Sequence, residues 1–504
     1  MVNVSRPVRR LAAVVVVLCT AITCGTLPAA VLAAPAPSPG LGRPVNHGGQ
    51  LSHAGRWITD ARGRVIVLHG TNMVYKLAPF YPAAAGFDAD DATFLRSIGF
   101  NAVRIGVLWQ AVEPEPGVYD DGYLNKIAKT VSMLGRHGIF SLLDFHQDMY
   151  NQLFQGEGFP RWAVQDGGLP NPRHGFPGNY LSNPALQRAY DNFWANKPGP
   201  GGIGLQDRYA AAWAHVAQRF RGNLSVLGYE IMNEPFPGSD VLACVGKAGC
   251  PVKDAELTGL ERKVDRAIRS ADPRTLVFYE PFTTFNFGFK DHIGSLNDPD
   301  AVFAWHDYCL LNEAAGCTSH VTAMANAAAF VARSGDGSMM TEFGATTGAR
   351  DLHQMVSLAD HYMVSWTEWA YCYCGDITGS LTEGMVDHPV KAKRGANLVR
   401  SILDSLVEPY PQVIAGTPRS WGYDHSTRMF SFTYTTRKAS GSGSFPAGSV
   451  TQIAAPRLDY PNGYVTKVKG GIVVSPPGAP VVWVASSPGA TLVTVSITPG
   501  RASS

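Results

Sequence analysis

The sequence predicts an α/β chain, a (β/α)8 TIM barrel followed by a small C-terminal all-β sandwich. Three observations carry that prediction. Eight short apolar runs of strand character alternate with amphipathic helical stretches over roughly 350 residues. Polar and ionisable side chains collect where those runs end, as they do at the C-terminal face of such barrels. Beyond Pro409 and Pro411 the pattern changes to short β runs separated by Gly, Pro, Asn and Ser.

In chain order, Arg6, Arg9 and Arg10 precede an apolar run from Leu11 to Leu18 and small residues ending in Ala33-Ala34. This reads as a secretory signal peptide over 1–33, cleaved after Ala33, and so as an extracellular protein. The run is too short for a membrane span, and Ala21-Ile22-Thr23 before Cys24 is a poor lipobox. Residues 34–50 read as a flexible leader. The 504 residues then leave room for a large domain at 51–408 and a smaller one at 409–504. A composition 45% hydrophobic and 16% charged suits a well-cored soluble protein. Removing three arginines from 42 basic residues leaves 39 against 40 acidic ones, a balance that gives no sign of a nucleic acid partner.

Strands are expected at 65–72, 101–109, 138–146, 225–233, 275–280, 302–308, 338–343 and 362–371. Leu124, Ile127, Val131 and Leu134 form one helical stripe, and Leu257, Leu260, Val264 and Ile268 another. A helix at about 393–406 closes the barrel. Further strands are expected at 429–435, 449–454, 464–468, 471–474, 480–484 and 492–497. The link 152–206 is long for a crossover and holds Phe154, Phe159, Trp162, Phe176, Tyr180 and Phe193. It reads either as an excursion packing its own aromatics or as an apolar wall beside a site. Six cysteines follow the signal segment, which favours disulfides. Cys244 with Cys250 and Cys309 with Cys317 can staple single loops, while Cys372 and Cys374 stand too near each other for an easy bridge. No spacing matches a zinc site, and no cofactor is implied.

Two stretches carry the chemistry. In Gly228-Tyr-Glu-Ile-Met-Asn-Glu-Pro235 an apolar run stops at Asn233, Glu234 and Pro235, and Ser338-Met-Met-Thr-Glu342 presents a second glutamate in the same way. Carboxyls on separate strand ends are what glycosidic cleavage needs, one as acid/base and one as nucleophile. Arg104 on strand two, Asp144, His146, Gln147 and Asp148 after strand three, His306 and Tyr308 on strand six, and Trp369 on strand eight fall at the same face. Any one of them could be structural, but their coincidence is hard to explain that way.

This set resembles glycoside hydrolase family five, in the larger clan A of retaining barrel glycosidases. That family carries Arg on strand two, His on three, Asn-Glu on four, His-x-Tyr on six, Glu on seven and Trp on eight. Here these match Arg104, His146, Asn233-Glu234, His306-Asp-Tyr308, Glu342 and Trp369, with Trp366 a weaker candidate for the last place. Leu143-Asp-Phe-His-Gln-Asp-Met-Tyr150, Gly156-Glu-Gly-Phe-Pro-Arg-Trp-Ala163 and Glu368-Trp-Ala-Tyr371 resemble the endoglycoceramidases of that family. The resemblance implies action on glycosphingolipid in micelles or at a membrane surface, freeing oligosaccharide from ceramide; a monomer is the default expectation. It implies Glu342 as nucleophile and Glu234 as acid/base. Arg104 and Tyr308 would keep Glu342 ionised, and Asn233 would bind the sugar 2-hydroxyl. His306 would position the hydroxyl network or Glu234, Trp369 would floor the first sugar, and Lys76, His146 and Asp148 would hold the glucose. The aromatics of the long link and the stretch Pro281-Phe-Thr-Thr-Phe-Asn-Phe-Gly288 would form the ceramide wall. The rival readings are a glucosylceramidase-like β-glucosidase, a β-1,4-glucanase, or a carbohydrate-binding protein on an inactive barrel.

Overall fold

The computed structural model describes residues 49–245, 249–309 and 317–500, so the signal segment and nearly all of the leader lie outside the described residues. Eight parallel strands close into a barrel: His69–Met73, Ala102–Val107, Phe140–Phe145, Val226–Glu230, Leu276–Tyr279, Ala301–Asp307, Gly337–Phe343 and Trp366–Glu368. Alternation along the strands explains how the sequence builds both core and cleft. Interior positions read Ala102 then Arg104, Leu142 then Asp144, Leu276 and Phe278 then Glu280, and Val302 and Ala304 then His306. They are apolar in the lower half and ionisable in the upper half. The intervening residues, such as Val103, Ile105, Leu143, Tyr279, Phe303 and Trp305, face the helices and join the main core.

Both predicted stripes are buried, on the helices Asp121–Arg136 and Pro251–Ala271. Three expected elements differ. The strand expected at 65–72 is two strands, because Val65–Ile66 leaves the barrel to pair with Tyr410–Ile414. The strand expected at 362–371 is only Trp366–Glu368, since the preceding helix runs to Tyr362 and ends in a left-handed Met363. The helix expected at 393–406 is confined to Arg400–Leu406, after a turn in which Gly395 takes φ +60°.

The C-terminal region is a sandwich of antiparallel sheets. One sheet has seven strands, and three of them, Ser52–Ala54, Trp57–Thr59 and Val65–Ile66, come from the N-terminal side of the barrel. The other consists of Thr417–Asp424, Met429–Thr435, Leu492–Pro499 and Tyr464–Lys469. Phe430, Phe432, Tyr434, Ile453, Val482, Val484, Val493, Val495 and Ile497 fill the space between. Tyr410–Ile414 and Thr417–Asp424 were not anticipated, the first because Pro409 and Pro411 read as a boundary.

Disulfides join Cys244 to Cys250, Cys309 to Cys317 and Cys372 to Cys374. The third settles a pairing the sequence leaves open, since those two cysteines stand too near each other for an easy bridge. A left-handed Cys374, φ +47°, turns the chain so that the Cα atoms lie 5.2 Å apart.

The link 152–206 packs inward. Phe154, Phe159 and Phe193 are fully buried and pack with Tyr150, Tyr190 and Tyr209, with Tyr150 stacked on Phe159 at 3.9 Å. Phe282 and Phe285 are buried too. The apolar-wall expectation is therefore corrected for most of its members. Large aromatic rings gain more from burial than from facing solvent, and loop sequence does not disclose which way they turn. Phe176 alone of the six link aromatics is well exposed, at 44%.

Candidate active site

Glu234 sits in a left-handed backbone conformation, φ +42°, just beyond strand four. A non-glycine residue stays there only when its surroundings hold it. Gln147 Nε2 donates to the carbonyls of Asn233 and Glu234 at 2.9 and 3.0 Å. Glu280 accepts from the Glu234 N–H at 3.2 Å. Tyr190 Oη in turn donates to Gln147 Oε1 at 2.6 Å, so the inward-packed link braces the acid/base turn from below. Glu342 is aimed differently. The pairing of strand seven with strand six shifts register between Met340 and Glu342, which turns the glutamate toward the cleft.

Side-chain oxygens of Glu234 and Glu342 and a His306 nitrogen all lie within 4.8 Å of one another. Arg104, fully buried, contacts Glu342 and Glu230 directly and reaches Asp144 and Glu280 at 3.2 and 3.3 Å. It also donates to Asn72 Oδ1 at 3.1 Å and Asn233 Oδ1 at 2.9 Å. Tyr308 Oη donates to Glu342 Oε2 at 2.8 Å. Asn286 Nδ2 donates to Glu234 Oε1 at 2.6 Å, and His306 Nδ1 lies 2.9 Å from the same oxygen. Both neighbours bind Oε1 rather than Oε2.

The electrostatics divide the two carboxyls. Burial, reinforced by the charge of Asp148, raises Glu234 to about 7. Burial also pushes Glu342 up, while the Arg104 charge pulls it back. Burial lowers His306 to about 4, so the imidazole is neutral near pH 7 and Arg104 carries the counter-charge. That guanidinium contacts Glu342, whereas Glu234 is bound by Asn286 and His306.

Lys76, His146, Asp148 and Trp369 form a second group. Lys76 Nζ bonds Asp148 at 2.7 Å, Asp376 at 2.9 Å and Thr378 Oγ1 at 2.6 Å, and it lies 4.5 Å from the centre of the Trp369 ring. The Trp369 ring stacks on His146 at 5.3 Å. Burial opposes a charge on His146, but Asp144 at 2.7 Å and Asp148 outweigh it and raise its pKa to about 10. Trp366 instead stacks on His69 in the core, which leaves Trp369 as the strand-eight aromatic of the cleft. The motif around Glu157 is a clasp against Asp148, with backbone hydrogen bonds in both directions at 3.1 and 2.8 Å. Gly156 and Gly158 permit it, since a Cβ at either would fall 1.8 Å from the Asp148 carbonyl oxygen or 2.3 Å from Gln147 Cβ.

Every sequence-predicted site residue is thus in one of two adjoining groups. Sequence reasoning missed Asn72, Glu157, Glu230, Glu280, Asn286, Asp376 and Thr378 as site residues. Glu230 and Glu280 carried a signal, an acid at the end of an apolar run. Asn286 was hidden in a stretch read as apolar wall, and nothing marked the loop holding Asp376 and Thr378.

Residues 59–375 match the family model described as cellulase (glycosyl hydrolase family 5), and 409–497 match the glycoside hydrolase family 5 C-terminal domain. The chain is 32% identical over 457 residues to endoglycoceramidase I of Rhodococcus hoagii, covering 86% of each chain. It is 28% identical to an endoglycoceramidase of Hydra vulgaris, covering 83% of each. The solved complex of endo-glycoceramidase II from a Rhodococcus species with ganglioside GM3 superposes with a TM-score of 0.71 at 26% identity, over 88% of this chain and 99% of that one. A paired-glutamate cleft on a closed eight-stranded barrel, matched over most of the sequence, makes the chain a glycoside hydrolase, a member of family 5.

Proposed function

We propose that the protein is a retaining endo-glycosidase that cleaves the bond between the glucose of a glycosphingolipid oligosaccharide and its ceramide. The observation that carries this is the carboxyl separation: oxygens of Glu234 and Glu342 lie within 4.8 Å. So close an approach suits the roughly 5–5.5 Å between the carboxyl groups of retaining enzymes better than the about 6.5–9.5 Å of inverting ones. The endoglycoceramidase relatives and the GM3 complex support the substrate class.

Glu342 attacks the anomeric carbon while Glu234 Oε2 gives its proton to the departing ceramide oxygen. Water then enters, Glu234 takes its proton, and the sugar leaves with its configuration retained. Arg104 and Tyr308 orient the nucleophile. Asn233 Oδ1 is fixed by Arg104 and Nδ2 by the Gln147 carbonyl at 3.0 Å, and Nδ2 carries a second N–H for the sugar 2-hydroxyl. Trp369 floors the first sugar, and Lys76, His146 and Asp148 ring its hydroxyls. We also infer secretion from the first 33 residues, which N-terminal sequencing of protein from culture medium would test.

Incubating the protein with gangliosides, glucosylceramide and cello-oligosaccharides and weighing every product tests the reading. Free oligosaccharide with intact ceramide is expected. Glucose released from glucosylceramide alone, or shortened glucans alone, would replace it with an exo-glucosidase or a glucanase.

A further inference from the structure

Tyr308 is held from both flanks by a single helix. Its neighbour Asp307 points away from the cleft into the helical layer, as strand alternation requires. There Asp307 Oδ1 lies 2.7 Å from His320 Nδ1, and His320 Nε2 lies 3.0 Å from Asp351 Oδ1. All three side chains are buried. A neutral imidazole offers one N–H, so two carboxylate acceptors call for the imidazolium. Burial alone would discharge it, but the hydrogen bonds to Asp307 and Asp351 override burial and raise it to about 9.

His320 lies in the first turn of the helix Thr318–Ser334. Asp351 lies in the first turn of Ala349–Tyr362, the helix that follows strand seven and Glu342. On the other flank of Tyr308, Cys309 is bonded to Cys317, the N-cap of the His320 helix. These two sulfurs lie near His320 and Asp351 at metal-ligand spacing, but being bonded to each other they offer no thiolate.

We propose that His320 is a positioning residue for hydrolysis: clasped between Asp307 and Asp351, its imidazolium fixes the exit of strand six, so that Tyr308 stays on Glu342 and His306 on Glu234. His320 touches neither carboxyl and acts through Tyr308 and His306. The proposal rests on the assignment of Glu342 and Glu234 above. A misplacement of about 1 Å in such a site costs up to about 100-fold in rate.

A double-mutant cycle on a soluble aryl β-glycoside tests this without involving lipid. Wild type, His320→Gln, Tyr308→Phe and the double variant are compared for kcat and KM, with the folded fraction at assay temperature read by circular dichroism. His320→Gln should lower kcat by about 10- to 100-fold and leave KM within about threefold. In the Tyr308→Phe background the same change should cost several-fold less than in the wild type, because one of the two groups it positions is already gone. A merely structural histidine would reduce activity by the same factor in both backgrounds. Multiplying losses, or a His320→Gln enzyme with wild-type kcat, would overturn the proposal. Should His320→Gln fail to fold, Asp351→Asn takes its place in the cycle with the same expectations. A wild-type protein inert on aryl glycosides would count against the glutamate assignment itself, and the clasp would fall with it.

Discussion

Replacing Asn286 by leucine gives the sharpest test of the acid/base assignment, because no sequence pattern marked this residue as catalytic machinery. Its Nδ2 donates to Glu234 Oε1 at 2.6 Å from a buried position. A hydrogen bond to an ionised carboxylate favours the charged form, and one to a charged group contributes about 1.5–3 kcal/mol. The protonated carboxyl accepts a weaker version of the same bond, so about half of that is differential. At about 1.4 kcal/mol per pKa unit, the loss lifts Glu234 by roughly 1 unit. Burial and Asp148 already hold it at about 7. Glu234 must be protonated to release the leaving group, so kcat/KM falls as pH rises through its pKa. The alkaline limb of Asn286→Leu should therefore lie near pH 8 rather than near 7. Leucine resembles asparagine in shape and leaves intact the backbone bond from the Tyr308 N–H to the residue 286 carbonyl, 3.2 Å in the wild type. The measurement is a kcat/KM profile from pH 4 to 10 on an aryl glycoside. An alkaline limb displaced by less than about 0.3 unit, or moved toward acid, would refute the reasoning that Oε1 is the held oxygen and Oε2 the proton carrier.

Three further outcomes are expected. Glu342→Gln should lose roughly 10^4-fold or more in kcat while keeping its melting temperature within a few degrees, read by aryl glycoside hydrolysis beside thermal unfolding. Asp360 is buried beneath the sandwich, raised to about 7 by burial, and shares a hydrogen bond with Glu408. Its proton is held more tightly folded than unfolded, so its contribution to stability is full below about pH 4 and is lost as pH climbs through 7. Asp360→Asn keeps an acceptor for Trp421 Nε1, now 2.6 Å away, and removes the charge beside Glu408, whose own proton burial holds well above the usual range. It should gain on the order of 1–2 kcal/mol at pH 8 and flatten the fall of melting temperature with pH. Phe159→Ala should cost about 3–5 kcal/mol of stability, and folded enzyme should retain its ratio of ganglioside to aryl glycoside turnover. A selective loss on the lipid would return that ring to the substrate wall.

The barrel and its paired glutamates were legible because strand geometry writes them into the chain. A side chain two residues further along a strand points the same way, so Arg104 and His306 could be aimed into one cleft from sequence alone, whereas Glu342 owes its aim to the register shift in strand seven. Where position depends on a loop, that logic stops. Asn286 reaches Glu234 from a 3-10 turn whose Phe285 is core, like Phe282 just before it, and in sequence the turn resembled a greasy surface. Asp376 and Thr378 meet Lys76 only because the loop after strand eight folds back over the cleft. The rings of the long link were visible as aromatics, but their direction was set by contacts with Tyr209 and Gln147 far along the chain. The Cys372–Cys374 bridge likewise depends on one left-handed residue, which composition does not reveal.

The ribbon that precedes the barrel pairs Val65 with Ile414 and Ile66 with Val413, and this has a consequence for how the chain is made and exchanged. During synthesis that ribbon emerges early and waits, with an unsatisfied edge, while the whole barrel is translated. Swapping the terminal β-module between relatives would split one sheet across two genes unless residues 52–66 travel with it.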